Sequence, residues 1–261
     1  MKKIAFIAGW YNYGGQKGLN DKHRFVLECL YKSAKKYFLP NHDVDFIFIT
    51  NDDIEIEGVT TLKIEHMVEG FWHMCLMKIL SLNYLEGTYD NIFVNDTDQI
   101  YVDYVDESIL DQDLVFLEHY FYPPVKGIHD EVTDIVELNF DTTKERWTMG
   151  NFFGGKTEVM KDLASTATYW HDLYTRPSYN RDHNFYSRYP EELFLIKYVF
   201  EKNIPHIRLN STLHFPEAKK GNFLCDFQED ENAYSNLENI VLIHNTKKNV
   251  EVLQKIIKFF T

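Results

Sequence analysis

The chain has 261 residues, 44% of them hydrophobic, and carries 40 acidic against 27 basic side chains, for a net charge of −13. That length suits one large α/β domain, and the acidic balance argues against broad attraction to nucleic acid or to an anionic membrane, so an anionic ligand needs a local device such as a cation. Cys29, Cys75 and Cys225 are far apart and odd in number, which predicts reduced, buried thiols in a cytoplasmic protein, and no run nears the roughly 18 apolar residues of a membrane span.

MKKIAFIAGWYNYGG opens with two lysines and an apolar run too short for a signal peptide, and is taken as a first strand, Ile4 to Ala8. A polar, Gly-containing segment then leads through Asn20 into a helix over Asp21 to Phe38, with Val26, Leu30, Ala34 and Phe38 at helical spacing. Alternation predicts a strand from Asp43 to Thr50, followed by a short one from Thr60 to Ile64, a helix from Phe71 to Tyr84 and a strand from Ile92 to Val94. This order predicts an open sheet flanked by helices, with ligands outside the carboxyl ends of its strands. Asp96 and Asp98 fall at such an end, and the residues from Asn95 to Asp98 are turn formers. If the backbone stays extended, the two carboxylates project to one side, where a divalent cation offsets their repulsion. An ordinary surface turn accounts for the same pair, so the motif alone leaves both readings open. A phosphatase-type Asp-x-Asp is disfavoured, because such a site follows the first strand and requires Thr or Val where this chain has Ile100.

In the second half, Leu114 to Tyr120 is a strand candidate, and the polar stretch from Tyr122 to Trp147 has the composition of a lid. Met149 to Gly155 is expected to be a Gly-rich turn before a helix starting near Thr157, its small residues serving either the turn or the approach of a ligand to the backbone. Pro190 opens another helix, whose first turn holds Glu191 and Glu192; these stabilise the helix dipole or do chemistry. HIRLNSTLHF and NIVLIHN are strand-like, and Asn249 to Phe260 is amphipathic. His244, Asn245, Lys247 and Lys248 form a basic cluster after the last strand, which is either a solvated helix start or a contact to a diphosphate.

Taken in order, FVLECLYKSAKKYFLPNHDVDFIFITND, NDTDQIYVDYV, MGNFFGGKTEVM and EELFLIKYVFEKNIP resemble glycosyltransferase family six over most of the chain. These are the retaining enzymes that include the blood-group A and B transferases and the α-1,3-galactosyltransferase. The resemblance implies one GT-A-like, Rossmann-like α/β domain over 1–261, an open, mostly parallel mixed sheet flanked by helices, with a nucleotide-binding half over about 1–100 and an acceptor-binding, catalytic half over about 101–261. It implies metal-dependent transfer of galactose or N-acetylgalactosamine from a UDP-sugar donor to an oligosaccharide acceptor in α-1,3 linkage. Asp96 and Asp98 would hold Mn²⁺ (or Mg²⁺) against the UDP diphosphate, and Phe6 and Ala8 would lie beside the uracil. Lys78 matches a basic position of the donor site, and Lys247 and Lys248 could close over the phosphates. Glu192 aligns with the catalytic glutamate, with Glu191 beside it, and His119 and Trp147 fall in acceptor-contacting regions. Met149, Gly150 and Asn151 match the stretch that chooses the donor sugar.

Three departures stand out. Tyr189-Pro190-Glu191-Glu192 replaces the family's His-Asp-Glu run, and Asn151 is neither the Gly nor the Ala of the blood-group enzymes. The chain is shorter than the vertebrate enzymes and is expected to lack an anchor and stem, as bacterial and phage-encoded members do. Many bacterial members have Asn-x-Asn, so the acidic pair here favours metal dependence. Two rivals share these features: a retaining UDP-sugar transferase of another family, and a lectin-like module that binds sugar without turnover.

Overall fold

The structure, a computed structural model, describes residues 1–13, 18–65, 68–118, 148–176, 190–212, 222–226 and 240–244. In chain order the elements are β1 (Lys3–Trp10), α1 (Asp21–Tyr37), β2 (Asp43–Thr50), β3 (Thr60–Lys63), α2 (Phe71–Leu80), β4 (Asn91–Asn95), β5 (Gln99–Tyr101), β6 (Leu114–Glu118), β7 (Thr148–Lys156), α3 (Thr157–Tyr174), α4 (Pro190–Glu201), β8 (His206–Thr212), β9 (Asn222–Asp226) and β10 (Ile240–His244). The strands join in one open sheet of order β3-β2-β1-β4-β7-β6-β8-β9-β10-β5. Pairing is parallel except where β7 runs against β4 and β6, and where β5 runs against β10. The α/β class and the mostly parallel mixed sheet are as the sequence predicts.

The central strands carry apolar side chains on both faces because both faces are covered. One face packs Ile7, Ile49 and Val94 under α2, α3 and α4, through Leu76, Ile79, Leu163, Ala167, Trp170 and Phe194. The other face packs Phe6, Phe48, Phe93 and Phe152 under Leu27, Leu30, Tyr31 and Ala34 of α1. Phe6 lies at its centre, its ring centroid 4.9 Å from Phe38, 5.3 Å from Phe46 and 5.9 Å from both Tyr31 and Tyr101. Burying one such ring contributes about 1.5–3 kcal/mol. α1 begins where Asn20 accepts the His23 amide at 2.9 Å, a side-chain cap for an otherwise orphaned donor.

Several boundaries differ from the sequence reading. The helix predicted over Phe71–Tyr84 ends at Leu80 and tightens into a 3-10 turn over Ser81–Tyr84. β5 and β9 have no counterpart in it: β5 is only three residues long and is held by pairing with β10. The largest correction concerns Met149 to Gly155, which forms most of a nine-residue internal strand, β7, rather than a turn. Its glycines serve close strand packing. A Cβ on Gly154 would lie 2.3 Å from Phe93 Cδ1, and one on Gly155 would lie 2.1 Å from the Asp113 carbonyl oxygen. Cys29 and Cys75 are buried and free, and burial pushes the Cys29 thiol up to about 11, which keeps it protonated and unreactive. No helix among the described residues is long and apolar enough to cross a membrane. The expected lid over Tyr122–Trp147 and the terminal helix over Asn249–Phe260 lie outside the described residues.

Candidate functional site

β4 ends at Asn95, and the next residues do not stay extended. Asp96 donates its backbone N–H to the Asn151 carbonyl at 2.9 Å, the chain turns through Thr97 and Asp98, and β5 then departs to the far edge of the sheet. The shared orientation expected of an extended Asp-x-Asp is therefore replaced by a turn. That turn brings in a third residue. β5 pairs antiparallel with β10, with Gln99 opposite His244, so the carboxyl end of β10 lies beside the acidic pair. His244 Nε2 is 3.3 Å from Asp98 Oδ1, and Asp96, Asp98 and His244 each offer a ligand atom within 4.8 Å of the others. Sequence reading places His244 in a basic cluster that is either a solvated helix start or a contact to a diphosphate; the partnership with Asp98 comes from strand pairing.

A bulge in β7 shapes the neighbouring wall. Phe116 of β6 faces Phe153, but Leu117 faces Met149, so the β7 residues between them lack β6 partners. Their backbone groups turn to side chains and to the end of β4. Gly150 donates its N–H to Glu192 Oε1 at 3.0 Å and accepts from Lys78 Nζ at 3.0 Å. A Cβ on Gly150 would lie 2.8 Å from Glu191 Cγ, so glycine there lets the first turn of α4 approach the strand. What comes close to this backbone is the protein's own glutamate.

Lys78 projects from α2 into this junction. Its Nζ is 2.7 Å from Asp96 Oδ1 and 3.5 Å from Glu191 Oε1. Burial disfavours the ammonium, but the charges of Asp96 and Glu191 outweigh it and hold the Lys78 pKa above the usual lysine range. Burial raises the Asp96 and Glu191 carboxyls above theirs, with Lys78 opposing in both cases. Glu191 is 3% exposed and Glu192 9%. Burial to that degree rules out two solvated helix-start residues, because charged groups are taken out of water only when something compensates them. Oε2 of Glu191 has no hydrogen-bond partner among the described residues. The same holds for both amide atoms of Gln99, which is fully buried opposite His244.

The other expected site residues fare differently. Phe6 and Ala8 are fully buried in the α1-side core, Phe6 enclosed by rings and Ala8 in register with Asn95 and Phe48. Met149 packs in that core too. His119, Trp147, Lys247 and Lys248 lie outside the described residues. Asn151 is 8% exposed, with its amide nitrogen 3.0 Å from His244 Nε2 and 3.4 Å from Nδ1.

Two carboxylates and an imidazole form a donor set that fits a divalent cation such as Mn²⁺ or Mg²⁺ and leaves coordination positions for ligand oxygens. Lys78 adds a fixed positive charge beside it. The arrangement can hold a cation, gather a diphosphate around it, and present two buried glutamates nearby. No protein-family model and no curated protein matches the chain, so its functional reading rests on its motifs and on this site.

Proposed function

We propose that the chain is a metal-dependent retaining glycosyltransferase, moving galactose or N-acetylgalactosamine from a UDP-sugar to an oligosaccharide acceptor in α-1,3 linkage. The observation that supports this best is the convergence, at the carboxyl end of β4, of the Asp96–Asp98–His244 group with the buried Glu191–Glu192 pair, joined through Lys78 and the Gly150 backbone. Mn²⁺ or Mg²⁺, when bound, supplies Lewis-acid stabilisation of the negative charge on a departing UDP. Asp96 and Asp98 hold it. Lys78 opposes the burial that raises the Asp96 carboxyl and links Asp96 electrostatically to Glu191. The Gly150 N–H fixes Glu192, whose carboxylate acts at the anomeric carbon, either as a nucleophile or by stabilising an oxocarbenium-like centre during same-face attack. A retaining UDP-sugar transferase of another family would use the same groups with a different acceptor.

The test is transfer from UDP-galactose and UDP-N-acetylgalactosamine with Mn²⁺, following product configuration by NMR. Glu192→Gln should lower kcat roughly 100-fold or more with little change in donor Kd, because its work is done in the transition state. Asp98→Ala should abolish Mn²⁺-dependent binding of UDP in calorimetry. UDP binding that is equal with Mn²⁺ and with EDTA would defeat the cation reading. Near-normal turnover by Glu192→Gln, or an inverted product, would remove Glu192 from the mechanism.

A further inference from the structure

We propose that Lys78 is a movable counter-charge with two seats: a cation entering the Asp96–Asp98 group takes Asp96 from its ammonium, which then settles on the buried Glu191, so that one side chain couples cation binding to the charge balance of the glutamate pair. The inference rests on the cation part of the reading above and not on the sugar, the acceptor or the transfer step.

Lys78 enters the junction from the last turn of α2 and stands between two carboxyls of different depth. The Asp96 side chain is 23% exposed and that of Glu191 only 4%, so Asp96 is the seat that an arriving cation meets first. An ammonium has three N–H donors. Those of Lys78 reach Asp96 Oδ1 at 2.7 Å and the Gly150 carbonyl at 3.0 Å, whereas Glu191 Oε1 stands at 3.5 Å, beyond a normal hydrogen bond. Glu191 is therefore served only at a distance. Its Oε2 has no hydrogen-bond partner among the described residues, and a buried carboxylate oxygen without a donor is costly. The Gly150 carbonyl supplies a pivot: with that bond kept, a small rotation of the flexible four-carbon stem carries Nζ from Asp96 to Glu191.

The direction of the movement follows from charge. Asp96 does not serve an ammonium and a divalent cation equally, because the two repel across a few ångströms and the divalent ion is the stronger partner for carboxylate oxygen. The charge of Lys78 is permanent, but its seat is not. Displaced from Asp96, the ammonium finds at Glu191 a deeper carboxylate with an oxygen that lacks a donor. Lys78 is thus the cation's competitor at Asp96 and, once displaced, the donor that Glu191 lacks beside the Glu192 carboxylate held by the Gly150 N–H.

The experiment is binding of the metal alone to the full chain, with free Mn²⁺ counted by electron paramagnetic resonance, for wild type, Lys78→Met, Glu191→Gln and the double variant. Glu191→Gln removes the second seat and leaves the ammonium on Asp96, so Mn²⁺ affinity should fall roughly 10-fold. Lys78→Met removes the competitor and should raise it. In the Lys78→Met background the loss caused by Glu191→Gln should shrink at least about threefold. A smaller change in that loss is what the field of Glu191 acting directly on the cation gives, and it would overturn the proposal. So would Glu191→Gln within about twofold of wild type, or Lys78→Met that binds Mn²⁺ no more tightly than wild type. If a Lys78 variant does not fold, the wild type carries the test by NMR on isotope-labelled protein: hydrogen-bond coupling from Lys78 Nζ should pass from the Asp96 carboxyl carbon to that of Glu191 at saturating, diamagnetic Mg²⁺. A coupling that stays on Asp96 sinks the idea. The two readings fail separately. Mn²⁺ binding unaffected by Asp98→Ala removes the centre itself, whereas a centre that binds Mn²⁺ through Asp98 without the Lys78 dependence leaves the cation reading standing and removes only the movable charge.

Discussion

The α1 side of the sheet and the carboxyl end of β4 handle polar groups in opposite ways. Under α1, rings pack edge to face, and the buried phenols reach partners: Tyr31 donates to the Ile47 carbonyl at 2.7 Å and Tyr101 to Asn95 Oδ1 at 2.6 Å. At the carboxyl end of β4, among the described residues, the carboxylates Asp96, Asp98, Glu191 and Glu192 crowd around the Lys78 ammonium and the His244 imidazole. The first arrangement maximises burial with little desolvation cost. The second gathers partly buried charges of mostly one sign, an arrangement that costs stability and is found where a ligand or a reaction calls for it. The difference separates the part of the chain that holds the fold from the part available for chemistry.

The strongest way to sharpen this contrast is to damage each region and read both properties. Phe6→Ala empties the centre of the aromatic layer and should lower stability by about 3–5 kcal/mol. It should leave Mn²⁺ affinity of the folded protein unchanged, measured by urea unfolding and by metal titration below the transition. A matching loss of metal affinity would mean that the two regions are not separable.

Lys78→Met should cost about 3 kcal/mol, because it leaves buried carboxylates without their counter-charge. Adding Glu191→Gln should recover part of that loss. The pH dependence has a definite sign. The Lys78 pKa is raised in the folded protein above the ordinary lysine value of about 10.5, so its contribution is fully present below about that pH and is lost as pH climbs above it. The stability gap between wild type and Lys78→Met should therefore narrow in the alkaline range, as Lys78 loses its proton, and also in the acid range, as the raised carboxyls of Asp96 and Glu191 take up theirs. A gap that stays constant through the alkaline range would mean that Lys78 is not the ammonium holding this junction together.

The smallest effect is expected on the fold side. Asn20→Ala removes the cap of α1 and should cost about 1 kcal/mol, a fall in Tm of about 2 °C for a chain of this size, with no effect on metal binding or turnover.

Local sequence determined much of the first hundred residues. The helical spacing of Val26, Leu30 and Ala34 and the alternation over Asp43–Thr50 located α1 and β2 to within a residue, and the turn formers after Val94 located the acidic pair at a strand end. These signals are legible because periodicity is set by each residue's near neighbours in the chain. The glycines of β7 misled for the same reason: in isolation they signal a turn, and only the closeness of Phe93 and Asp113 shows why a strand needs them. Tertiary structure decided the composition of the site. Asn151 meets His244 across 93 residues and Gly150 meets Lys78 across 72, through the order of strands in the sheet and a bulge between β6 and β7. No local pattern encodes such pairings. A charged or amide side chain has the same sequence neighbours whether it faces water or a partner, and only burial in the assembled fold, which removes the water, makes the partner necessary.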